Sequence, residues 1–140
     1  MNARLAERVQ AEVVSEPRSA EAREEVLLEG GTKESLALDP VRLLYAESEG
    51  NYVRLHYLDA DRGKPAVKLL RLTLKQAEDA FLDYSYIIRC HRAYLVNLHR
   101  VAQVSGNAQG YRLHLEGCGT EVPVSRSYAV RVKRTLEGSE

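Results

Sequence analysis

IIRCHRAYLVNLHRV, residues 87–101, is a strand pattern loaded with charge. Ile88, Cys90, Tyr94 and Val96 share one parity and Arg89 and His91 the other, as the two faces of a β-strand require. The alternation falters at Arg92, so the stretch reads as strand, turn, strand. An antiparallel hairpin follows, because so short a connection leaves no room for a crossover. The fold then turns on whether the flanking sequence continues in the same manner. The function turns on what Arg89, His91, Arg92, His99 and Arg100 are doing there.

The flanks continue it. NYVRLHYL alternates from Asn51, with Tyr52, Arg54, His56 and Leu58 on one face and Val53, Leu55 and Tyr57 on the other. EVLLEGG and KESLAL read as a hairpin about Gly30-Gly31, and AVKLLRL as a further strand. Thr73 opens a helix over TLKQAEDAFL, with Gln76 three residues on completing a capping box. Leu74, Ala77 and Phe81 form its inward stripe. SGNAQG is a turn between VAQV and YRLHLEG, and CGTEVPV an edge strand carrying Pro123. The last helix is YAVRVKRTL, capped by Ser125 or Ser127, with Ala129, Val132 and Leu136 inward. The expected fold is mainly β: short antiparallel β-sheets with one or two short helices.

Length and composition agree with one domain. The chain has 140 residues, 44% of them hydrophobic, with no Trp and one Phe, so Leu, Val and eight Tyr do the packing. Residues 1–25 hold four Arg and six Glu and too little apolar surface to fold alone, so they read as a flexible leader or linker. The domain is expected over 26–137 and a tail over 138–140. Two Cys make no disulfide framework, no apolar run is long enough to span a membrane, and no signal peptide is visible. The expected location is the cytoplasm. Net charge is zero, but residues 85–134 carry eight Arg or Lys against Glu116 and Glu121. A basic C-terminal half inside a neutral chain fits a surface that meets phosphate, and equally a solvated face with counter-ions.

The rival chemistries are weaker. Cys90 and His91 are neighbours on a strand and point to opposite faces, so they do not make a nucleophile–base pair. His91, His99, His114 and Cys118 lack the paired spacing of a zinc site, and the glycines match no phosphate-binding loop. The acidic residues form no catalytic pair. The expectation is therefore no enzyme, no catalytic residue, no metal and no cofactor. An anion surface remains. Arginine suits it because a planar guanidinium pairs bidentately with phosphate oxygens or with guanine O6 and N7. Several candidates sit at breaks: Asn51 and Tyr52 after Gly50, Arg92 at the falter, and Ser125, Arg126 and Ser127 ahead of the last helix.

Five pieces in order, LLYAESEGNYVRLHY (43–57), LLRLTLKQAEDAF (69–81), IIRCHRAYLVNLHRV (87–101), VSGNAQGYRLHL (104–115) and VPVSRSYAVRVKRTL (122–136), resemble the LytTR family of bacterial DNA-binding domains. The resemblance covers roughly Val26 to Leu136. It implies a transcription regulator of two-component type that places loops, rather than a recognition helix, in successive major grooves. Carried onto this chain, it implies base contacts by Arg92, Arg126, Asn51 and Tyr52. Phosphate or positioning contacts would come from Arg89, His91, Asn97, Ser125, Ser127 and Lys133. The implied partner is double-stranded DNA with repeated sites, bound as a homodimer, with a sensor partner supplying the signal. The 25 or so residues ahead of the domain are too few for a receiver domain. Two other readings stand beside it: an RNA-binding β-domain, in which Tyr52, Tyr94 and Tyr111 stack bases, and a protein-interaction module.

Overall fold

A computed structural model describes residues 25–138 except 32, 62, 108 and 118. Most of the expected leader, Cys118 and the last two residues lie outside the described part. The strands are β1 (Val26–Glu29), β2 (Ser35–Leu38), β3 (Leu43–Glu49), β4 (Tyr52–Leu58), β5 (Pro65–Leu70), β6 (Ile87–His91), β7 (Tyr94–Asn97), β8 (Val101–Asn107), β9 (Gly110–Leu115) and β10 (Glu121–Val124). The helices are α1 (Leu74–Ala80) and α2 (Ala129–Gly138). All pairings are antiparallel. The mainly β fold with two short helices is the one the alternating runs predict.

The strands form three sheets, β1-β2, β10-β9-β8 and a central β5-β4-β3-β7-β6. The central sheet separates two cores. One holds Leu43, Ala46, Val53, Leu55, Leu70 and Leu95 beneath α1 and the β1-β2 hairpin. The other holds Tyr45, Ile88, Cys90 and Val96 against the three-stranded sheet and α2. Strand alternation builds both, since successive residues of β7, and of β3 from Tyr45 on, face opposite ways, while an irregularity between Leu43 and Tyr45 puts Leu44 and Tyr45 in the same core.

Local chemistry sets the ends of α1. The Thr73 hydroxyl accepts from the Gln76 amide at 3.0 Å, and the Gln76 side chain accepts from the Thr73 amide at 2.8 Å. Two amide donors that the helix leaves open are thereby satisfied. Leu74, Ala77 and Phe81 are buried as the inward stripe requires. At the other end of the chain the expectation needs correction. Ser125 makes no side-chain cap, and its hydroxyl lies 3.3 Å from that of Ser127. A 3-10 turn over Arg126–Tyr128 intervenes, and α2 begins only at Ala129. The turn amides of Tyr128 and Ala129 already bond Ser125 and Arg126 carbonyls. They are not free donors for phosphate.

Candidate nucleic-acid interface

The break at Arg92 is a two-residue turn, Arg92-Ala93, between His91 and its cross-strand partner Tyr94. Neither turn residue has a positive φ. Tight hairpins usually need one, because only then does the turn follow the twist of the strands. Here side chains brace the turn instead. The Ala93 amide donates to His91 Nδ1 at 3.1 Å, and Arg89 Nη1 donates to the Arg92 carbonyl at 3.3 Å. The pairing register also shifts between Arg89 and His91. The Arg92 side chain itself is exposed and has no partner among the described residues.

Three more turns lie in a row with this one. The β3-β4 hairpin closes through Gly50-Asn51, where Gly50 takes φ 63 as glycine does at no steric cost. The Ser48 amide donates to the Ala93 carbonyl at 2.9 Å, so this tip adjoins the Arg92 turn. On the other side, the Ser125 amide donates to the Cys90 carbonyl at 3.1 Å and sets Arg126 beside β6. The β8-β9 tip completes the row, because Arg126 Nη1 donates to Gln109 Oε1 at 3.1 Å. That hairpin is tighter than SGNAQG suggests: β8 runs on through Gly106 and Asn107, and pairing resumes at Gly110.

The predicted residues divide on this frame. Asn51, Arg92, Arg126, Ser127 and Lys133 are exposed, and Tyr52 and Ser125 are partly so. Asn51 and Tyr52 share a cleft of about 350 Å³ with Arg71, an exposed cation that the sequence reading passed over. Gln109 was passed over as well. Nothing in its sequence neighbourhood marks it, and only the fold brings it to Arg126.

Asn97 is a correction. It is fully buried, donates through Nδ2 to the Leu43 carbonyl at 2.9 Å and to the Pro40 carbonyl at 3.3 Å, and accepts from the His99 amide at 2.9 Å. It joins β7 to the segment before β3 and has no surface to offer DNA. Arg89, expected to make a phosphate or positioning contact, faces a carboxylate instead of open solvent. It is largely buried, and its Nη2 lies 3.0 Å from Glu78 Oε1. Its contribution is to hold the Arg92 turn. His91, half-buried with Nδ1 occupied, does the same.

Charge at the interface follows from which cations are neutralised. Of the eight basic residues between 85 and 134, Arg89 pairs with Glu78, Arg100 with Glu116 and Arg112 with Glu121. Arg92, Arg126, Arg131, Lys133 and Arg134 have no carboxylate partner among the described residues. Glu49, beside the Gly50 tip, is paired by Arg54 at 2.6 Å. The row of turns and α2 therefore present unneutralised positive charge.

Behind the turns, Cys90 is buried, and burial pushes its thiol up to about 12. It is a core residue and not a thiolate nucleophile. Among the described residues no group of three or more His, Cys, Asp or Glu is placed to hold a metal. No helix of the described residues is long and apolar enough to cross a membrane.

Comparison with known proteins bears on this surface. Residues 33–137 match the family model of the LytTr DNA-binding domain. The chain is 36% identical over 66 residues to an uncharacterised response regulatory protein of Vibrio cholerae, covering 47% of this chain and 26% of that protein. It is 27% identical over 105 residues to the sensory transduction protein LytT of Oceanobacillus iheyensis, covering 74% of this chain and 40% of that one. The chain thus spans about a quarter to two fifths of the length of these relatives. A solved LytTr DNA-binding domain from Bacillus cereus superposes with a TM-score of 0.60 at 23% identity, covering 84% of this chain and 99% of that domain, and so shares the fold.

Proposed function

The chain belongs to the LytTr DNA-binding domain family, and on that premise we propose that it binds duplex DNA sequence-specifically as part of a bacterial transcription regulator. The observation that carries the reading is the row of four turns with Arg92 and Arg126 unneutralised among them. On this reading the turns enter successive major grooves on one face of the duplex. There Arg92 and Arg126 reach base edges, and Asn51 and Tyr52 read from the Gly50 tip. Ser125, Ser127 and Lys133 take backbone phosphates. Phosphate contacts supply most of the affinity and its salt dependence, and base contacts supply the choice of site. Two copies on a repeated site lengthen the sequence read, since one module offers few base contacts.

Selection from a random duplex pool tests this, with wild type, Arg92→Ala and Arg126→Ala run in parallel. The expected result is an enriched motif. Each variant should relax one or two positions of it, at about 1–3 kcal/mol per lost base contact, while Lys133→Ala lowers affinity evenly and reduces the salt slope by about 1. If wild type enriches no motif, the proposal fails.

A further inference from the structure

The side chain of Arg126 is held by another loop. The acceptor is Gln109 Oε1, at 3.1 Å from Nη1. Arginine has only donors, so the contacting atom of Gln109 must be its amide oxygen. Gln109 is itself held: its backbone amide donates to Asn107 Oδ1 at 2.9 Å. The hairpin beneath is closely built. Gly106 takes φ 94, and a Cβ there would stand 2.3 Å from the Gly110 carbonyl oxygen. The nearby hydroxyls of Ser125 and Ser127 face each other at 3.3 Å. Neither they nor any carboxylate among the described residues holds the Arg126 guanidinium.

The chemistry of the pair is specific. A guanidinium presents its donors in a planar fork. With Nη1 on Gln109, the Nε/Nη2 edge remains for an acceptor pair such as guanine O6 and N7. A neutral amide oxygen aligns the plane without bringing a negative charge to a surface that meets phosphate. A glutamate there would align it too, but would repel the backbone.

We propose that Gln109 is a positioning residue for Arg126, fixing the plane of its guanidinium before DNA arrives and so sharpening base choice at the position Arg126 reads. The inference rests on the reading of Arg126 as a base contact. It makes the β8-β9 tip a working part of the interface, although Gln109 touches no base itself.

The test compares the full chain with Gln109→Ala, Gln109→Glu, Arg126→Ala and the Gln109→Ala/Arg126→Ala pair, on the selected site and its single-base variants. Gln109→Ala should cut discrimination at the position relaxed by Arg126→Ala by about two- to tenfold, the range for immobilising one flexible side chain. Positions relaxed by Arg92→Ala should not move, nor should the melting temperature. In the Arg126→Ala background the Gln109 substitution should add nothing. Gln109→Glu should keep the discrimination while weakening binding to all sequences. A uniform loss with Gln109→Ala, or an equal loss in the Arg126→Ala background, overturns the inference in favour of a direct contact or a merely structural role. If Arg126→Ala relaxes a position and Gln109→Ala does not, this inference alone fails. If Arg126→Ala relaxes none, the base-reading role of Arg126 fails with it.

Discussion

The Ser125 amide donates to the Cys90 carbonyl at 3.1 Å, and this bond ties the segment carrying Arg126 to the strand that ends one residue before Arg92. The two arginines lie 34 positions apart in sequence, and the Cys90 thiol adds a second tie to the Pro123 carbonyl at 3.6 Å. Ser125 has φ −75, a value that proline adopts without strain. Ser125→Pro therefore replaces the N–H with a ring carbon pressing on the Cys90 carbonyl and asks little else of the backbone. Specific affinity should fall by about two- to tenfold, the worth of one hydrogen bond. Discrimination should drop at the positions of both arginines. Ser125→Ala, which keeps the amide, should leave discrimination at both positions unchanged. Equal behaviour of the two variants in competition binding would show that the bond does not align the interface.

Asn97 predicts a stability effect in place of a binding effect. Asn97→Ala leaves the Leu43 and Pro40 carbonyls and the His99 amide without their partner in the interior. Chemical denaturation should show a loss of about 2–4 kcal/mol, as for a buried polar network broken on one side. Binding by the folded fraction should keep its site preference. A variant of wild-type stability with altered site preference would return Asn97 to the interface.

These two residues also show how far sequence reading reaches. Alternation in NYVRLHYL and IIRCHRAYLVNLHRV assigned most side chains to the correct face, because a period of two is a local property. The Thr73 capping box was legible for the same reason: its partners are three residues apart. Asn97 was not. A polar residue at a strand end looks like a turn, and the carbonyls it serves lie more than fifty residues away. Arg89 carries the same lesson, since Glu78 reaches it from α1. Strand parity told which face each residue takes, but not what stands opposite, and the role of a charged side chain depends on what stands opposite.

His56 makes stability depend on pH. Its ring stacks on Tyr45 at 4.1 Å between centroids, and Nε2 lies 3.3 Å from Glu47 Oε1. Burial lowers its pKa below the ordinary 6.5, outweighing the opposite pull of Glu47, while Arg54 adds to the lowering. The unfolded chain thus binds a proton at a higher pH than the folded one does. Stability is full above about pH 6.5 and falls as the solution is acidified through the interval below it. His56→Phe keeps the stack and removes the titration. Between about pH 7.5 and pH 5.5 its melting temperature should fall less than that of wild type; parallel curves would rule out His56 as the source.

Cys90 predicts a chemical null. With its thiol pushed up to about 12 and its side chain buried, it should resist alkylation in the native protein near neutral pH. In a Cys118→Ser background, mass spectrometry after iodoacetamide should show an unmodified native chain and a singly modified denatured one. Rapid native labelling would contradict the packing of the second core.

The partition of the central sheet has a consequence for how this sequence can change. From Tyr45 to Ala46, one strand hands successive residues to two separate interiors. Deleting a single residue within β3 would exchange them, sending the aromatic ring into the space fitted for a methyl group and the methyl group into the space left by the ring. β3 therefore tolerates replacement but not a change of length.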